Sequence, residues 1–95
     1  MSCAVYILTN KPNGTLYVGS TANLLRRIEQ HRTSKQRSSF AYRYNLHRLV
    51  YVEPHDDLTE AQNREHRMKR WRRAWKIALI EEQNPRWEDL SPLLF

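Results

Sequence analysis

Cysteine is nearly absent: Cys3 stands alone in 95 residues. One thiol makes no intrachain disulfide and no cysteine-based zinc site, so a reducing compartment, the cytoplasm, is expected. Long hydrophobic runs are missing too. The longest near the start, Cys3 to Leu8, has no basic flank and is too short for a signal peptide or a membrane span, so neither export nor a membrane partner is expected. Repeats, linkers and low-complexity stretches are lacking. Acidic residues are in short supply, 10 Asp and Glu against 16 Lys and Arg, leaving a formal charge of +6.

What is present suits one folded unit. The length points to a single domain over 1–95, with a body over 4–90 and a tail over 91–95, and is too short for a catalytic domain plus a separate recognition domain. Hydrophobic residues at 40% and aromatics at 11% can supply a core. The positive surplus favours a polyanionic partner, although a merely basic soluble protein is the plain alternative. Arginine outnumbers lysine about three to one, which suits bidentate contacts to phosphate.

Two β-forming runs, Ala4 to Thr9 and Thr15 to Gly19, flank Asn10-Lys11-Pro12-Asn13-Gly14 and predict a hairpin. Pro12 has no N–H to give to a two-residue loop, so a four-residue loop from Lys11 to Gly14 is expected. Leu8 then pairs with Tyr17 and Tyr6 with Gly19, and the two tyrosines become diagonal neighbours on one sheet face. A helix is predicted from Thr21 to about Arg32, capped by Ser20 or Thr21, with Leu24, Leu25 and Ile28 inward. Arg27 and His31 share one of its faces. A polar, basic loop follows over Thr33 to Ser39. His47 to Glu53 reads as a third strand ended by Pro54. Asp57 and Glu60 have capping-box spacing and open a helix to about Trp71, striped by Leu58, Ala61, Glu65 and Met68. A last helix, Arg72 to about Gln83, turns Trp75, Ala78 and Leu79 inward and ends at Asn84-Pro85. Trp87 and Leu90 are expected to pack back. The order is β-β-α-β-α-α, an α/β (α+β) fold with a three-stranded antiparallel sheet flanked by helices.

Glu65 is the residue that pattern alone does not explain. It lies in the basic stretch Arg64 to Arg70, yet falls on the apolar stripe between Ala61 and Met68. An ion pair with Lys69, four residues on, is the ordinary explanation. An inward carboxylate is costly unless an arginine, hydrogen bonds or a cation compensates it, and a metal ion would do so. Tyr6 and Tyr17 could be a simple cross-strand aromatic pair, and Arg27 and His31 a solvated helix face. Taken together, two phenols, a guanidinium, an imidazole and a carboxylate arriving from a hairpin and two helices compose a candidate phosphodiester site.

The set Ala4-Val5-Tyr6, Tyr17-Val18-Gly19, Arg27, His31 and a later helical Glu65 resembles the GIY-YIG endonuclease family from about residue 4 to about residue 90. The likeness is nearest to its small stand-alone bacterial members, which also carry stretches similar to Trp71 to Lys76 and Asn84 to Leu90. Ala4 replaces the glycine of the first triplet and Val5 and Val18 replace isoleucine, changes that leave the phenols in place.

The resemblance implies a divalent-metal-dependent endonuclease acting on nucleic acid, with DNA the expected substrate and little sequence specificity. Repair or mobile-element processing would follow by family analogy, and oligomeric state stays open. The resemblance assigns one metal ion to Glu65, and a lone hard carboxylate with water suits Mg²⁺, or Mn²⁺, better than Zn²⁺. Arg27 would hold the scissile phosphate and His31 would assist proton transfer or position a phosphate oxygen. Tyr6 or Tyr17, with Tyr6 preferred, would orient or deprotonate the attacking water. Lys35, Arg37 and Arg43 are expected to touch the substrate backbone, and Asn84 to lie near the site. The rival reading is a nucleic-acid-binding module of the same fold without turnover.

Overall fold

A Pro-Asn pair sets the first reversal of the chain. Pro12 brings a fixed φ and Asn13 tolerates the left-handed region, where it sits at φ 58°. The turn closes with the Gly14 N–H donating to the Lys11 carbonyl at 2.9 Å, and the Thr15 N–H donates to Asn10 Oδ1 at 3.1 Å. The computed structural model of the chain describes residues 3–33 and 46–94. It contains the hairpin in the expected register: β1 (Ala4–Thr9) pairs antiparallel with β2 (Leu16–Thr21), Tyr6 opposite Gly19 and Leu8 opposite Tyr17.

The first helix begins later than expected. β2 continues through Thr21, which still pairs with Ala4, so neither Ser20 nor Thr21 can cap it. The cap passes to Asn23, whose Oδ1 accepts from the Arg26 N–H, and α1 runs Leu24–Thr33. Thr21 shapes the turn instead, its hydroxyl accepting from the Asn23 N–H at 3.1 Å. Leu24 and Ile28 are buried as expected, whereas Leu25 is exposed.

β3 (Arg48–Pro54) lies on the other side of β1, giving the order β2-β1-β3. Pro54 is accommodated because β3 is an edge strand. Ile7 faces Tyr51 while Leu8 faces Leu49, so Val50 is an extra residue that bulges the strand and turns Val50 and Tyr51 to the same side.

Each sheet face carries its own apolar cluster. Ala4, Tyr6, Leu8, Leu49 and Leu46 pack with Leu24 and Ile28 of α1. Val5, Ile7, Val18, Val50 and Tyr51 pack with Ala61 and Met68 of α2 (Leu58–Lys69) and Ile80 of α3 (Arg73–Gln83). α2 starts at the expected cap, Asp57 Oδ1 accepting from the Glu60 N–H at 2.8 Å. It lies against β2 and β1, which brings its side chains to the β2 edge.

Glu53 ties β3 to α2. It accepts from the Tyr51 hydroxyl at 2.6 Å and Arg64 Nε at 3.0 Å, and shares a 2.7 Å hydrogen bond with His55 Nε2. Burial works against its charge, but these partners outweigh burial and hold its carboxyl below the usual range.

α3 departs from expectation in its inner face. Ile80 is buried, with Ile77 and Leu79 partly so, while Ala78 and Trp75 face outward and Trp75 is 55% exposed. Periodicity alone does not phase this helix, because apolar residues lie on both of its sides. The segment after Asn84 packs back on the body as expected, and ordered contacts continue past residue 90. Trp87 is buried, the Leu90 N–H donates to the Leu49 carbonyl at 2.7 Å, and Ser91 is buried and hydrogen-bonded to Asp89 at the start of a short 3-10 turn, Ser91–Leu94.

Candidate active site at the edge of strand β2

Alternation along β1 and β2 puts Tyr6 and Tyr17 on the face that carries α1, while Ser20 points to the opposite face, toward α2. The two ring centroids are 6.3 Å apart, tilted at 41°. Tyr6 is fully buried and Tyr17 keeps part of its surface in solvent.

Arg27, one turn into α1, directs its guanidinium to the Tyr6 hydroxyl. Burial first, then the neighbouring Tyr17, pushes the Tyr6 phenol up to about 12. Arg27 opposes the rise and the charge of Glu65 adds to it. The tyrosine pair of the hairpin and Arg27 of α1 thus meet on this face.

Glu65 reaches this point from the other side of the sheet, around the open edge of β2. Its side chain is only 14% exposed, so it is inward, as the stripe on α2 predicts. Its two oxygens are divided: Oε1 accepts from the Ser20 hydroxyl and Oε2 lies 2.5 Å from Lys69 Nζ. Burial alone would push this carboxyl up. The Lys69 and Ser20 hydrogen bonds outweigh it and keep Glu65 below the usual carboxylate value, hence ionised at neutral pH. Lys69 Nζ also stands 6.0 Å from the Tyr17 ring centroid, which joins the carboxylate to the half-buried tyrosine.

Beside this cluster lies a polar cleft of about 300 Å³ between the start of α1 and α2. Ser20, Asn23, Arg26, Arg27, Gln30 and Gln62 line it, so both a partner of Glu65 and the partner of Tyr6 sit at its wall. Two arginines and several neutral donors form a lining suited to phosphate oxygens.

Tyr6, Tyr17, Arg27 and Glu65 are thus brought together. His31 lies one turn beyond Arg27 on α1, but its side chain, like Lys35, Arg37 and Arg43 as a whole, falls outside the described residues. Asn84, expected near the site, is committed to the backbone elsewhere. It is buried, Nδ2 donates to the Val50 and Glu88 carbonyls at 3.1 and 2.9 Å, and Oδ1 accepts from the Glu88 N–H at 3.0 Å. Its amide fastens the end of α3 and the following segment to β3.

The preference for Tyr6 as the group that handles water also needs revision, because Tyr6 has no exposed surface and an elevated pKa. Ser20 is a partner of Glu65 that the motif residues do not include, although β-strand alternation after Tyr17 and Gly19 turns it toward the second helix.

Among the described residues no group of three or more His, Cys, Asp or Glu gathers to hold a metal ion. Glu65 is an acidic donor placed at this site. An ionised carboxylate retains acceptor capacity beyond one hydrogen bond per oxygen, so it fits a hard cation that keeps most of its own water.

Residues 2–78 match the model of the GIY-YIG catalytic domain. A UPF0213 protein of Syntrophus aciditrophicus is 36% identical over 81 residues, 85% of this chain and 91% of that protein. A UPF0213 protein of Staphylococcus aureus is 32% identical over 71 residues, 75% of this chain and 85% of that protein. The solution NMR structure of a UPF0213 protein from Bacillus halodurans superposes with a TM-score of 0.57 at 28% identity, covering 98% of this chain and 97% of that one.

Proposed function

Since the chain belongs to the GIY-YIG family, whose domain is of nuclease type, we propose that it is a divalent-metal-dependent endonuclease hydrolysing phosphodiester bonds in nucleic acid, DNA in the first place, with little sequence specificity. The observation that carries this reading is the meeting of Tyr6, Tyr17, Arg27 and an ionised Glu65 at the β2 edge, beside an arginine-lined cleft.

Arg27 receives the scissile phosphate, its guanidinium held by the Tyr6 hydroxyl and its side chain at the wall of the cleft. Tyr17, which keeps part of its surface in solvent, orients the attacking water at its phenolic oxygen. Tyr6 serves as the buried strut behind both. A phenol with a pKa about 12 is ionised in roughly one molecule in 10⁵ at neutral pH, too few for it to be an unaided base. Glu65 would hold Mg²⁺ or Mn²⁺, which when bound supplies positive charge against the negative charge that develops on the phosphate oxygens. Lys69 must give up Oε2 or share it, and its ammonium would then be placed to meet a phosphate oxygen. His31, following Arg27 by one turn, is assigned to proton transfer to the leaving oxygen.

A panel of labelled duplex, single-stranded and branched oligonucleotides, incubated with Mg²⁺ or Mn²⁺, tests the reading. Cleavage by wild type, with losses of roughly 10²-fold or more for Tyr17→Phe, Arg27→Ala and Glu65→Ala, is expected. Identical cutting by wild type and all three variants would refute the site. The Lys69–Glu65 ion pair favours a second reading, a binding module whose carboxylate is already neutralised by the protein. Tight, salt-sensitive binding without cleavage anywhere on the panel would establish it.

A further inference from the structure

The turn from α2 into α3 combines the chain's heaviest concentration of positive charge with its most exposed tryptophan. Residues 64–76 hold seven of the 16 Lys and Arg against one acid, Glu65. Arg64 and Arg73 are engaged, the first with Glu53 and the second with the Asn13 and Gly14 carbonyls of the hairpin turn. Arg67, Arg70 and Arg72 are exposed and Lys76 partly so.

Trp75 is 55% exposed, an unusual position for so large an apolar ring. It meets Trp71 edge-on with centroids 6.3 Å apart, and the two line an open groove of about 300 Å³ with Ala78, Leu79 and Glu82. Guanidinium groups stand over both rings, Arg64 at 4.9 Å from Trp71 and Arg72 at 5.7 Å from Trp75.

We propose that this corner is a stacking site for an unpaired nucleobase. The chain would then bind nucleic acids containing single-stranded segments in preference to fully paired duplex. The inference rests on the nucleic-acid reading above and names the substrate class it favours.

Three observations select this occupant. A second copy of the chain would bring like charge against like charge, whereas a polyanion neutralises it. Within a duplex the base faces are covered by their neighbours, so an exposed ring can stack only on a base that is unpaired or terminal. The corner is also continuous with the candidate active site. Lys69, two residues before Trp71, stands over Tyr17, and Arg73 joins α3 to the hairpin that carries Tyr6 and Tyr17.

The test is binding by the full chain, without divalent metal, to a fluorescent single strand, a splayed duplex and a fully paired circular duplex with neither ends nor loops. Trp75→Ala is expected to weaken the first two roughly tenfold, the usual worth of one base stacked on an aromatic ring, and to leave the circular duplex within about twofold. Trp75→Phe should retain most of the affinity, and its surface position lets both variants fold, which their thermal melts check. Equal effects on all three ligands, or none, would overturn the proposal. So would a Trp75→Ala variant that merely converts a dimer to a monomer, or Trp75-dependent capture by anionic phospholipid vesicles with no preference for the single strand. Absence of binding to every oligonucleotide defeats both this inference and the nuclease reading. Binding that ignores Trp75 defeats this inference alone, and Trp75-dependent binding without cleavage supports it while counting against turnover.

Discussion

The ring of Tyr6 lies where a β-carbon on Gly19 would have to be: such an atom would fall 2.6 Å from both Cζ and the hydroxyl oxygen of Tyr6 and 3.0 Å from Tyr17 Cε1. The two residues face each other across the hairpin. Glycine is therefore required at 19 by close approach and not by φ, since no glycine of the chain has a positive φ. Its bareness lets a buried phenol extend over β2 toward the edge where Glu65 arrives.

Gly19→Ala should accordingly displace Tyr6 and cost about 1–3 kcal/mol of stability, as overpacking usually does. Denaturant unfolding measures this. Combined with Tyr6→Ala, whose own cost comes from a cavity, the loss should fall short of the sum of the two single variants by at least about 0.5 kcal/mol. Strict additivity would mean that the ring does not hold the position described.

The raised pKa of Tyr6 carries a signed prediction. Its neutral form is favoured in the folded chain, so the stabilisation is complete below the unfolded phenol value near 10 and fades as pH rises toward the folded value of about 12. Wild type should lose about 2–3 kcal/mol relative to Tyr6→Phe across that window, because each pH unit separating the folded and unfolded values is worth about 1.36 kcal/mol. Parallel unfolding curves for the two proteins, from roughly pH 9 to pH 12, cancel the other alkaline titrations. A constant difference would contradict the buried, elevated phenol.

The sheet and the tyrosine pair were legible in the sequence because the hairpin is governed by local rules. Pro12 excludes a two-residue loop, and once the loop length is set, period-two alternation places Tyr6 and Tyr17 together. Glu65 was legible for a related reason, as the one acid on an apolar helical stripe. Its partner Ser20 required knowing that α2 crosses the β2 edge, which is tertiary information. Local pattern does not locate the cap of α1, because Ser20, Thr21 and Asn23 are all good caps and only the length of β2 decides among them. The phase of α3 was lost for want of contrast between its faces: Trp75 and Ile80 are both apolar, and the first lies in solvent.

Lys69 offers a way to separate charge compensation from catalysis. Its ammonium occupies Oε2 of Glu65, so it should compete with any divalent ion held there. Lys69→Ala is expected to raise Mn²⁺ affinity at least about fivefold, on the order of 1 kcal/mol for a unit charge a few ångströms away near the surface. Glu65→Gln should abolish saturable binding. Electron paramagnetic resonance of free Mn²⁺ reads both without requiring turnover. Unchanged affinity in Lys69→Ala would place the ion away from Glu65.

Asn84 tests whether its neighbourhood is structural. The buried amide serves three backbone groups, the carbonyls of Val50 and Glu88 and the N–H of Glu88, and so spans from the bulge of β3 to the segment carrying Trp87. Asn84→Ala leaves all three without that partner, and the penalty for stranding buried polar groups is about 1–3 kcal/mol each before relaxation or water entry reduces it. A net loss of about 2–3 kcal/mol is expected, together with exposure of Trp87, whose red-shifted emission reports release of the C-terminal segment. Oligonucleotide affinity of the folded fraction should stay within about twofold, because a side chain committed to the backbone has no donor left for a phosphate. A large loss of affinity at undiminished stability would move Asn84 back into the binding site and show that its backbone contacts yield to substrate.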